Sequence, residues 1–175
     1  MIRDSDGKDP ETLINQLCSY YKSRSREDRG NLPRVLPKNV LILKYYSFEN
    51  YFLDPAVMTK IGVVSSEEEF YEILYRKYRE YLYRLSSVRR MLQITKISIH
   101  SKEDIRKNME WIKIYVRGHN LYDIFYGRYK GEKEREILRA YIEAAPREDF
   151  EDILMAIDQF VYFESRQKNG NKSII

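Results

Sequence analysis

Two aspartates, Asp4 and Asp6, stand two residues apart in the stretch IRDSDGKD. On an extended segment, side chains two apart point the same way, so this pair can converge on one hard cation. Magnesium suits such a pair because it takes one or two protein carboxylates and keeps several waters. The same residues also make an ordinary turn into a helix, with Asp, Ser and Gly bonding back to the backbone. Glu49, in KYYSFENYFLDP, comes off a second candidate strand and either faces the aspartates or starts a helix. His119, in VRGHNLYDIF, follows a glycine at a helix start, where it contacts a phosphate or stands as an exposed cap. In YEILYRKYREYLYRLSSVRR, Arg76, Lys77, Arg79, Arg89 and Arg90 are interleaved with tyrosines. Such residues build a nucleic-acid groove with stacking platforms. Alternatively, the tyrosines pack between helices while the arginines cover them or pair with Glu68, Glu69, Glu72 and Glu80.

The elements that must position these residues follow from local patterns. Residues 1–4 read as the end of a strand and DSDGKD as the turn after it. Asp9 is an N-cap with Pro10 at the first helical position, and Leu13, Ile14 and Leu17 share a face, so a helix over about 10–23 is expected. SRSREDRGNLPRVLPKN reads as a loop, and VLILKYY, Val40 to Tyr46, as a strand buried on both faces. Strand, helix, loop and strand make a βαβ unit with a parallel sheet. Ser66 and Glu69 form a capping box opening a long helix to about residue 86 or beyond, and Ser101 with Asp104 starts another. WIKIYVR reads as a short strand or a helix end. HNLYDIFYGRY, EKEREILRAYIEA and EDFEDILMAIDQFVYFE read as helices, with Pro146 separating the last two. The fold class expected is α/β and helix-dominated: a partial βαβ segment over 1–55, a helical region packed on it over 56–165, and a disordered tail over 166–175.

Composition limits the chemistry. With 175 residues, 43% hydrophobic and 33% charged, the chain is about one folded domain. No stretch approaches the roughly 20 apolar residues of a membrane span, and the first residues lack a signal-peptide core, so a cytoplasmic protein is expected. Cys18 is the one cysteine and His100 and His119 the two histidines, which argues against thiolate or histidine metal cages. The net charge of +4 permits an anionic partner, DNA or RNA, without requiring one. The 16 tyrosines suit half-buried helix faces and base-stacking surfaces equally.

The ordered set IRDSDGKD, then FENYFLDP after a strand, then RGHNLYDIF resembles the second half of the TOPRIM-like nuclease domain attached to ABC-type ATPases in the OLD (overcoming lysogenisation defect) group and related ATPase-linked families of bacteria. The resemblance covers most of residues 2–130. It implies that Asp4 and Asp6 bind divalent metal, that Glu49 completes the carboxylate cluster or orients a water, and that His119 or a nearby basic residue stabilises phosphate charge. The chain departs from the family pattern in lacking the glutamate-ended strand that precedes the aspartates, and it carries no Gly-x-x-x-x-Gly-Lys-Ser/Thr motif. The expectation is therefore a magnesium-dependent nuclease half-domain, weak alone, that works with an ATPase or a missing half-domain. The rival expectation is a non-catalytic helical interaction module, or the complement of a split TOPRIM domain.

Overall fold

A computed structural model describes residues 1–28 and 35–159. Among these, the elements in chain order are β1 (Ile2–Arg3), α1 (Pro10–Glu27), β2 (Leu41–Ile42), α2 (Pro55–Lys60), α3 (Glu67–Glu80), α4 (Ser86–Thr95), α5 (Lys102–Lys107), α6 (Met109–Tyr115), α7 (Gly118–Tyr126), α8 (Glu132–Ala144) and α9 (Glu151–Ile157). Short 3-10 turns occupy Pro37–Asn39, Phe48–Phe52, Leu82–Arg84 and Arg147–Phe150. The protein is helix-dominated α/β with one small parallel sheet. No described helix is long and apolar enough to cross a membrane.

The chain divides into two compact units. The first comprises Met1–Arg3, Asp9–Leu43 and the described residues from Arg147 onward. Here β1 pairs with β2 in parallel, Ile2 opposite Leu41 and Arg3 opposite Ile42, and α1 is the crossover between them. Asp9 caps α1 by accepting from the Thr12 N–H, with Pro10 next to it where no N–H is needed. Leu13 is buried with Val40 and Ile42, and Ile14 and Leu17 pack against them, so the expected apolar face is the core face.

Two boundaries differ from the sequence reading. Helix α1 runs on to Glu27 instead of stopping near 23, because Gly30 is the first helix breaker in the sequence and Arg24 supports the last turn. Its guanidinium pairs with Glu27 at 2.9 Å and lies over the Tyr20 ring, and a cation there suits the helix dipole. Strand β2 is two residues, not seven, because its partner ends at Arg3. The Leu43 N–H to the Arg3 carbonyl is the last rung before the chain bends at Lys44. The rest of the loop and the tail, 29–34 and 160–175, lie outside the described residues, as does the end of the last expected helix.

The second unit comprises Asp4–Lys8 and Lys44–Pro146. Residues 44–55, read from sequence with the βαβ segment, cluster here with helices α2–α8. Phe70 and Met91 are fully buried, and Phe70 stacks on Phe125 at 4.6 Å. The long helix expected from Ser66 is two helices. It breaks at Tyr81 (φ −154°, ψ −27°), and α4 starts after an extended Leu85. The break returns Leu82, Val88 and Met91 to the interior that Leu74 lines with Ile105, Ile112 and Leu121. Ser66 does cap α3, accepting from the Glu69 N–H, while the Glu69 carboxylate takes the Ser65 N–H. The Ser101 and Asp104 capping box is present as expected. WIKIYVR is helical through Tyr115, since the buried pair Ile112 and Val116 is spaced by four, a helical period that outweighs the alternation.

Three buried tyrosines explain part of the tyrosine excess. The Tyr51 hydroxyl accepts from the Lys44 N–H, the Tyr126 hydroxyl donates to the Phe52 carbonyl, and the Tyr141 hydroxyl accepts from the Asp54 N–H. Segment 44–54 is thus pinned by phenols, from the core beneath and from its own Tyr51. Tyr126→Phe is expected to lower stability by about 1 kcal/mol, the net worth of one such bond. Phe70→Ala should cost about 3–5 kcal/mol through its cavity. Urea unfolding of the two variants checks both values.

Candidate functional site

The stretch DSDG is the turn its sequence allowed, and the extended run that would aim Asp4 and Asp6 the same way is not formed, since β1 ends at Arg3 and Asp6 has a positive φ. The Lys8 N–H donates to the Ser5 carbonyl at 2.9 Å, closing a turn whose central residues, Asp6 (φ 51°) and Gly7 (φ 64°), both have positive φ. That is the backbone of a type I′ turn, which Asp tolerates and Gly adopts freely. The N–H groups of Asp6, Gly7 and Lys8 are all occupied: Asp6 donates to the Tyr46 carbonyl, Gly7 to the Ser5 hydroxyl and Lys8 to the Ser5 carbonyl. The buried Ser5 hydroxyl in turn donates to the Tyr45 carbonyl at 2.7 Å. These three amides are taken up within the fold, and the two aspartates add oxygen acceptors.

A buried amide joins the other two motif stretches. Asn50 is fully buried, and its Oδ1 accepts from the Ser47 N–H at 3.1 Å and the Ser47 hydroxyl at 3.0 Å. Its Nδ2 donates to the Val116 carbonyl at 3.0 Å, tying FENYF to the residue that precedes RGH. Gly118 is required by close approach, since a Cβ there would stand 2.2 Å from Asn50 Oδ1 and 2.3 Å from Ser47 Oγ. Asp4 closes the arrangement by accepting from the Phe48 N–H at 3.2 Å.

Tyr46 lies where the three stretches meet. Its carbonyl takes the Asp6 N–H, its N–H donates to the Lys113 carbonyl, and its ring lies where a Cβ on Gly7 would touch it at 3.3 Å. Partial burial raises the phenol above its ordinary value. Asp6 and Asp4 add to the rise, and Arg117 and Arg90 oppose it. Two carboxylates and two guanidinium groups therefore act on one hydroxyl. Arg90 is the member of the basic, tyrosine-rich stretch that does so. Arg76 and Lys77 pair with Glu80, Arg79 lines a shallow cleft with Glu72 and Glu80, and Arg89 is exposed on α4. The tyrosines there behave largely as packing residues, with Tyr71 buried and the Tyr75 hydroxyl bonded to the His100 carbonyl.

Glu49 is placed differently from the expected carboxylate cluster. It lines a cleft of about 340 Å³ with His119, Tyr122, Asp123 and Glu134. Among the described residues, no three Asp, Glu, His or Cys side chains gather as a metal-holding group, so Asp4, Asp6 and Glu49 do not form one cluster. His119 is exposed, with Nε2 3.9 Å from Asp123 Oδ2, and Tyr122 donates to Glu134. Burial and that bond push the Tyr122 phenol up. Arg117 and Tyr46 were not singled out as site residues in the sequence reading, although each lies in a stretch that was noted, VRGHNLYDIF and KYYSFENYFLDP. Asp4 and Asp6 bring oxygen donors of the kind magnesium commonly takes, one or two carboxylates completed by water. Comparison of the chain with protein-family models, curated proteins and solved structures finds no match in any of the three.

Two outcomes follow from this geometry. Gly118→Ala should lose about 2–4 kcal/mol in chemical denaturation, from overpacking and displaced bonds to Asn50. In a carbon NMR titration of the tyrosine rings, Asp6→Asn should lower the Tyr46 pKa by removing a negative neighbour, and Arg117→Ala should raise it.

Proposed function

We propose that the acidic turn and its basic neighbours are the metal-binding half of a TOPRIM-like site for phosphodiester cleavage in DNA or RNA, in a chain that works with an ATPase partner or a second half-domain. The observation that carries the reading is the meeting of IRDSDGKD and VRGH on YYSFEN, through the Asp6 N–H to the Tyr46 carbonyl and the Asn50 amide to the Val116 carbonyl, with the charges of two carboxylates and two arginines felt at the Tyr46 hydroxyl. A magnesium ion, when bound, would activate water and offset charge on the leaving oxygen. Asp4 and Asp6 would hold it, each fixed by the backbone around it. Arg90 and Arg117 carry the phosphate-facing charge in this reading in preference to His119, because their charges act on the same Tyr46 hydroxyl as those of the acidic pair. Glu49 and His119 belong to the adjoining cleft and take no step in it.

A second reading, the complement of a split sheet, is favoured by the exposure of Met1 (42%) and Ile2 (46%) beside a sheet that has two strands among the described residues. A strand with unpaired backbone on one side is a template for a partner strand.

Calorimetric titration with Mg²⁺ and Mn²⁺ tests the first reading. Asp4→Asn and Asp6→Asn should each weaken metal binding at least about tenfold, a loss that even outer-shell partners produce. Glu49→Gln should leave it unchanged. If neither aspartate variant alters the affinity, the nuclease reading is wrong.

A further inference from the structure

The acidic turn has an aromatic neighbour that the reading so far does not use. Trp111, the one tryptophan of the chain, lies on α6 with 44% of its surface exposed and stacks on Tyr115, centroids 5.9 Å apart and planes 26° from parallel. Helix α6 buries Ile112 on its core side, and Val116 just past its end is buried too, so the indole is not needed to anchor the helix. Tyr115 abuts the turn: a Cβ on Gly7 would stand 3.5 Å from the Tyr115 Cα and 3.5 Å from its ring. Asp6, Gly7, Tyr115 and Trp111 are therefore successive neighbours within one unit, with Gly7 itself buried. The exposed Arg117 stands just past the end of the helix, while the Lys113 ammonium lies over the Tyr45 ring.

We infer that Trp111 and Tyr115 form a platform for an unpaired base beside the acidic turn, so that the nucleic acid taken by this site is single-stranded. The inference rests on the proposed reading of the turn for its substrate class. Its physical ground is access. A base within a duplex has both faces covered by its neighbours, and only an unpaired or extruded base can offer a face to an exposed indole. Stacking needs no base-specific hydrogen bond, so the platform selects strandedness and not sequence. Arg117 supplies charge for a backbone running past the stack.

The full chain, held in EDTA so that metal-dependent cleavage does not intervene, is titrated with an oligothymidylate and separately with a duplex of equal length. Quenching of Trp111 fluorescence by the single strand and not by the duplex is expected. In anisotropy of a labelled oligothymidylate, Trp111→Leu should weaken binding about 5- to 100-fold, the range of one lost base stack, and Trp111→Phe should restore most of it. Circular dichroism confirms that the variants are folded. Equal quenching by the duplex, no quenching at all, or a Trp111→Leu affinity equal to wild type overturns the inference. The two readings separate cleanly. Failure here with aspartate-dependent Mn²⁺ binding intact removes the strand preference alone. Intact quenching with aspartate-independent metal binding removes the nuclease and leaves a strand-binding surface.

Discussion

The site depends on one buried amide. An asparagine with no solvent to turn to must find its partners within the protein, and each one left unpaired costs about 1–3 kcal/mol. Asn50 meets that demand by accepting twice from Ser47 and donating to Val116, which fixes the distance between two segments 66 residues apart in sequence. Gly118 keeps the space open. Arg117 lies between Val116 and Gly118, so the amide also sets where that guanidinium can reach. Ser47 lies next to Tyr46, whose carbonyl holds the acidic turn through the Asp6 N–H. Remove the amide and the carboxylates and arginines lose their common reference.

The phenols play two parts that composition alone does not separate. Those of Tyr51, Tyr126 and Tyr141 are fasteners, each closing on a backbone group of the segment that presents Ser47 and Asn50. Burial holds the Tyr126 phenol protonated well past the ordinary tyrosine range. Tyr46 is different in kind. Half-buried, with carboxylates and guanidinium groups pulling its proton in opposite directions, it reports the local balance of charge.

What the sequence disclosed was chiefly local. Asp9 and Pro10 at the start of α1, the Ser66 and Ser101 caps and the parallel pairing of the first strand with the second are nearest-neighbour or βαβ rules, and the structure follows them. The misjudged boundaries are those that tertiary contacts decide. Helix α3 ends because Leu82 must turn back into the core, and β2 is cut short because β1 offers no further rung. The candidate site was half legible for the same reason. Asp4 and Asp6 stood out by spacing, and the three stretches do converge. Glu49, however, follows the 3-10 turn into the His119 cleft, because its neighbour Asn50 takes the buried direction. Arg117 and Trp111 carry no local signature, since their roles come from what α6 and the start of α7 lie against.

The left-handed backbone of Asp6 bears on how such a site decays. An L-residue there gives up roughly 1 kcal/mol or more relative to glycine, and asparagine fits the same conformation about as well as aspartate. Both replacements are a single base change from either aspartate codon, and neither carries charge. On the proposed metal reading, a change to glycine would ease the bend and remove a charge in one step, while a change to asparagine would remove the charge and leave the bend as it is. Either would show as a single changed letter.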